Sequence, residues 1–174
     1  MTRRDFAGLA VLGALLGCDQ AEEEPVVRLP VGMVEGGTDP RRWAISQAVA
    51  LLLDRPAALS GKPVATAGAV GLVEYLATAF QDGRYQDGAR ITRLLREART
   101  AMRAELGLNA EAAPQATADA LFAAAREGSS KPLAALAVSG GDPWEALAAF
   151  VPPAPLLRAL RVLRDTQQPD YMPT

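Results

Sequence analysis

The chain contains no histidine and, in 174 residues, a single cysteine, Cys18. Without histidine, the usual base near neutral pH, the histidine-based triad and the common zinc ligand sets are all missing. With one thiol there is neither an internal disulfide nor a cysteine pair for redox or metal work. Lysine is scarce as well: Lys62 and Lys131 are the two present, so basic charge is carried by arginine. The formal net charge of −2 argues against nucleic acid, whose binders present a basic surface. A phosphate loop is also lacking. Gly61-Lys62-Pro63 has no preceding glycine at the required spacing, and proline stands where Ser or Thr would meet magnesium. These residues point to a chain with no catalytic group, no metal site and no cofactor.

What is present fits one domain. A hydrophobic content of 49% with 22% charged residues is the profile of a single globular core. Residues 1–17 read as an export signal; without them 174 − 17 = 157 residues remain, enough to bury a core unaided. The charge then becomes −3, because Arg3, Arg4 and Asp5 leave together.

The N-terminus carries the sharpest motif. Arg3 and Arg4 form a positive region, residues 6–17 are apolar and small, and Leu15-Leu16-Gly17-Cys18 closes the run. About a dozen apolar residues are too few for a bilayer-spanning helix, which needs about 20. The closing tetrad resembles a bacterial lipobox. That resemblance implies cleavage before Cys18 and lipid on its sulfur, which would attach the protein to a membrane. Thr2-Arg3-Arg4-Asp5-Phe6 resembles a twin-arginine export motif, although paired arginines also open ordinary Sec signals. Asp19, directly after the cysteine, is similar to the inner-membrane retention signal of some Gram-negative lipoproteins. The implied place is the cell envelope, on the inner membrane facing the periplasm.

Residues 18–37 are expected to form a flexible tether. Glu22, Glu23 and Glu24 repel one another and have nothing to bury, and Pro30 and Gly32 interrupt the apolar pairs of residues 26–34. Helices then fill residues 38–174. Asp39-Pro40 sets an N-cap with proline at the first helical position, and the pattern runs to Asp54. A second helix over about 63–80 is apolar nearly all round, which assigns it to the centre. A third, over about 85–106, is amphipathic; a fourth lies between Pro114 and Glu127 and stops at Gly128. After a short apolar piece over 131–138, Asp142-Pro143 repeats the cap-and-proline start, and a last helix covers about 154–166. The fold class is therefore all-α, an irregular bundle of about five to six helices. Leu94-Leu95-Arg96 echoes Leu156-Leu157-Arg158, but the surrounding spacing does not repeat, which disfavours a tetratricopeptide-like array.

Four residues stand out as a possible interaction or ligand site: Glu74, Trp43, Arg93 and Arg96. Glu74 is the only charge between Lys62 and Asp82, on the helix placed at the centre. Burial there calls for an arginine partner, such as Arg42, Arg55 or another, or else an outward orientation. Lytic transglycosylases are all-α, exported and built around one glutamate, but serine typically follows it in that family and Tyr75 follows here. Arg90, Arg93, Arg96, Arg99 and Arg103 wind around the third helix and read as a solvated face with local pairs. Trp43 and Trp144 read as core anchors. The leading functional expectation is a non-catalytic envelope lipoprotein whose helical domain binds another envelope protein. The alternatives are a carrier of an apolar ligand and a cell-wall-active enzyme using Glu74.

Overall fold

The computed structural model describes residues 24–85, 87–138 and 141–167. Arg3, Arg4, Phe6, Leu15, Gly17 and Cys18, the residues of the export and lipidation reading, lie outside them. Among the described residues six α-helices pack together and there is no strand. The domain is all-α.

Local chemistry explains most boundaries. Helix α1 spans Pro40–Ala48, and the Asp39 carboxylate accepts from the backbone N–H groups of Arg41 and Arg42. The chain continues as π-helix over Val49–Asp54, and Pro56 opens a 3₁₀ turn over Pro56–Leu59. Helix α2, Pro63–Leu76, is buried continuously from Ala69 to Leu76. The pattern predicts that it reaches Phe80, yet it ends earlier. The Thr78 hydroxyl donates to the Tyr75 carbonyl at 3.0 Å, and the backbone tightens to three-residue turns there while remaining buried.

Helix α3 spans Gly88–Glu105 and starts on a glycine for a steric reason. A Cβ at Gly88 would lie 2.8 Å from the Phe80 carbonyl oxygen, closer than packed atoms approach. Helix α4, Pro114–Glu127, ends at Gly128, whose φ of 64° is the left-handed conformation that glycine adopts cheaply. The chain after a 3₁₀ turn at Lys131–Leu133 doubles back on the α3–α4 link. Asn109 N–H donates to Leu136 O at 2.8 Å and Val138 N–H to Gly107 O at 2.9 Å. Asp142 caps the short α5, Pro143–Ala148, by accepting from the Trp144 N–H, and α6 covers Ala154–Thr166.

Helix α2 touches α1, α3, α4 and α5, so the helix without a polar face is the centre of the bundle. It approaches α4 closely at Gly71, where a Cβ would sit 2.7 Å from the Phe122 ring. Gly68, also on α2, has only ordinary van der Waals distance to Ala125. Helix α6 closes the other side, against α3 and α1.

The described part of the expected tether is seated on the bundle. Val27 is buried at 1% exposure and donates its N–H to the Thr78 hydroxyl at 2.9 Å. Gln115 of α4 accepts from the Arg28 N–H at 2.7 Å and donates to the Arg28 carbonyl at 3.3 Å. Gln81 donates to the Glu24 carbonyl at 2.9 Å. Two side-chain amides and a hydroxyl thus satisfy a backbone that has no strand to pair with. From Glu24 to Arg28 the free spacer expected over residues 18–37 gives way to a strap that runs from α3, past the turns that follow α2, to α4.

Candidate functional site

Thr92, Arg96, Arg99 and Arg103 fall at intervals of four, three and four residues, which puts them on one side of α3. That side faces α2 and the strap. Arg103 is 2% exposed and Glu74 is 0% exposed, and they meet as a two-pronged pair. Arg103 Nε donates to Glu74 Oε1 at 2.8 Å and Nη2 to Oε2 at 2.7 Å. Arg103 Nη1 donates to the carbonyls of Ala110 and Ala112, each at 2.8 Å. One guanidinium therefore neutralises the α2 carboxylate and holds the α3–α4 link in place.

Burial pushes the Glu74 carboxyl up, the Arg103 hydrogen bonds and charge offset only part of that, and the net shift is upward. Arginine does not lose its proton, so an ionised Glu74 is the state that leaves no uncompensated buried charge. This geometry does not present an acid to a substrate, since both carboxylate oxygens are engaged and neither is exposed. Where the sequence offers Arg42, Arg55 or another arginine as the partner, the structure supplies Arg103.

Glu24 completes the stripe. Its carboxylate lies 2.8 Å from Arg99 Nη2 and 3.2 Å from Arg96 Nε, while the Arg99 side chain is only 11% exposed. Partial burial raises the Glu24 carboxyl, but the Arg99 hydrogen bond and the charges of Arg99 and Arg96 outweigh it, and the net shift is downward. The expected solvated arginine face is thus divided. Arg103 is interior, Arg96 and Arg99 hold the strap, and Arg90 and Arg93 remain exposed.

Beside this stripe lies an open groove of about 850 Å³ between α3 and the segment linking α2 to it, lined by Gln81, Tyr85, Thr92, Arg93, Arg96 and Glu97 among others. Its wall is stiffened by Arg41 of α1, which forks onto both carboxylate oxygens of Asp82. The guanidinium carbon of Arg41 stands 5.2 Å from the Phe80 ring centroid and 5.1 Å from that of Tyr85. The two rings meet edge to face at 5.2 Å. Arg41 also holds the Asp82 carboxyl below its usual range through their hydrogen bond.

Of the singled-out residues, Arg93 and Arg96 share this groove, whereas Glu74 lies in the interior. Trp43 lines a separate apolar groove of about 220 Å³ with Met33, Leu51, Val64, Leu72 and Phe122. That is smaller than the roughly 300–1,000 Å³ of ordinary ligand pockets. Sequence reasoning does not single out Thr92, Glu24 or the buried role of Arg103. The 92-96-99-103 spacing is the signal available for them.

Among the described residues, no group of three or more His, Cys, Asp or Glu side chains is placed to hold a metal ion. None of the described helices is long and apolar enough to cross a membrane. No protein-family model, curated protein or solved structure matches this chain.

Proposed function

We propose that this protein is a lipid-anchored, non-catalytic component of the bacterial cell envelope, exported through residues 1–17, acylated on Cys18, and binding another envelope protein through the groove on α3. The observation that carries the reading is the seating of Glu24 on Arg96 and Arg99 at the groove's edge. Glu24 stands only six positions after Cys18. Fully extended, that stretch reaches about 20 Å, compared with about 65 Å for a tether ending at residue 37. Lipid on Cys18 would hold the groove close to the bilayer, within reach of the membrane-proximal part of a partner. Asp19 supports the inner membrane as that bilayer, with the domain in the periplasm.

Arginine beside aromatic side chains is the composition that protein interfaces favour, and Tyr85, Arg93 and Arg96 supply it here. The reading is tested by labelling cells with radioactive palmitate, then purifying the protein after crosslinking. Label on the intact protein but not on Cys18→Ser, with a stoichiometric partner that is lost in the same variant, supports it. An unlabelled protein sinks it.

The apolar lining of the Trp43 groove, despite its small volume, is the feature that a second reading, a carrier of an apolar ligand, would use. Native mass spectrometry would show a retained extra mass, displaced by Gly68→Leu at the groove's floor, if that reading holds.

A further inference from the structure

The groove on α3 has an inner and an outer edge. At 100° per residue, Thr92 and Arg96 lie on the edge nearest the strap, and Arg93 and Glu97 on the edge facing solvent. Burial follows that order: Thr92 is 9% exposed and Arg96 half-buried, whereas Arg93 and Glu97 are exposed. The inner edge carries polar groups without hydrogen-bond partners. The buried Thr92 Oγ1 has none, and Arg96 Nε, though ion-paired with Glu24, makes no aligned hydrogen bond. A buried hydroxyl left without a partner is destabilising, and a ligand that reached it would relieve that cost. Beside it, Arg93 and Arg96 both project at the same opening.

The face already displays one ligand mode. Glu24 belongs to an extended segment, its carboxylate is held by arginines, and its backbone carbonyl accepts from the Gln81 amide. Gln81 and Arg96 line the groove as well. We propose that the groove binds an extended acidic segment of the partner protein, with one carboxylate seated between the Thr92 hydroxyl and the guanidinium groups of Arg93 and Arg96. The Tyr85 ring supplies an apolar wall next to that carboxylate, and Glu97 at the outer edge excludes a second acidic side chain from that side. This rests on the reading of the protein as a partner-binding lipoprotein and adds the chemistry of what it binds.

The test uses the full-length protein in nanodiscs of neutral lipid, with fluorescein-labelled hexaglutamate as the probe in an anisotropy titration. Saturable binding is expected, weakened about tenfold by Arg93→Gln and by Thr92→Val, since each removes a hydrogen bond to the charged carboxylate. Arg90→Gln, an exposed charge on the same helix that does not line the groove, leaves the affinity unchanged. Thr92→Val keeps the side-chain shape, and Arg93 is exposed, so neither variant threatens folding. The proposal is overturned by absence of saturable binding, or by equal losses in Arg90→Gln and Arg93→Gln, which would mean diffuse charge attraction. Displacement of the probe by short-chain phosphatidylglycerol overturns it too, by assigning the groove to lipid headgroups. A Cys18-dependent partner retained in cells by Arg93→Gln would remove this groove chemistry while leaving the lipoprotein reading intact; tight hexaglutamate binding without such a partner would do the reverse.

Discussion

Glu74 on α2 and Arg103 on α3 face each other in the interior through parallel hydrogen bonds of 2.8 and 2.7 Å, with 0% and 2% of their side chains exposed. The same guanidinium holds two carbonyls of the α3–α4 link. The most buried charges among the described residues therefore act as a clasp between helices.

Removing one member of that clasp leaves the other charged and buried, an error that costs about 3–5 kcal/mol. Glu74→Gln is expected to lose about that much in urea denaturation. Glu74→Leu combined with Arg103→Met should recover much of the loss, although the carbonyls of Ala110 and Ala112 then lack their donor. A Glu74→Gln protein as stable as the parent contradicts the clasp.

The strap is expected to loosen in acid. The net downward shift of Glu24 means that its carboxylate releases a proton more readily in the folded protein than in the unfolded chain. Its contribution is therefore fully present above the unfolded value of 4.5 and is lost as pH falls through the lower folded value. Amide exchange at Val27, corrected for intrinsic rate, should show protection near neutral pH that declines below about 4. Glu24→Gln should lower the protection at neutral pH and flatten its dependence.

Gly71→Ala places a methyl 2.7 Å from the Phe122 ring. Helix propensity favours alanine by up to about 1 kcal/mol, but overpacking a buried contact costs about 1–3 kcal/mol. A net loss of stability is expected, reduced when Phe122→Leu makes room. Gly68→Ala, with 3.9 Å to its neighbour, should be neutral or stabilising.

Arg41→Lys should loosen the groove wall while sparing the core. Lysine keeps the charge but loses the fork onto Asp82 and the flat contact with Phe80 and Tyr85. Faster amide exchange over residues 81–85, with helices α2 and α4 unchanged, is the expected outcome.

The helices are legible because their punctuation is local. Asp39-Pro40, Asp142-Pro143 and Gly128 each act within a few residues, and the all-apolar pattern of α2 leads directly to its central place. The buried position of Glu74 comes from the same pattern. The strap is not legible: its hydrogen bonds join residues 51 to 87 positions apart, through Thr78, Gln81 and Gln115, whose spacing has no period. Glu24 reads as part of a spacer because its cations, Arg96 and Arg99, lie on a helix some seventy residues away. The arginines of α3 mislead for the same reason. Which of them are interior depends on where Glu24 and Glu74 stand, and only the 92-96-99-103 interval hints at a common face. The early end of α2 depends on the Thr78 hydroxyl turning back on the Tyr75 carbonyl, which a strong apolar pattern conceals.

The groove on α3 is expected to meet a protein partner while Cys18 holds the domain at the membrane. A photo-crosslinking residue placed at Ala89 or Thr100, both on the groove, and at Ala65, on the Trp43 side, tests this in living cells. The predicted result is a discrete protein adduct from Ala89 and Thr100, absent from Ala65 and lost when Cys18 is replaced by serine. An adduct from Ala65 alone, or groove adducts that persist without Cys18, would contradict it.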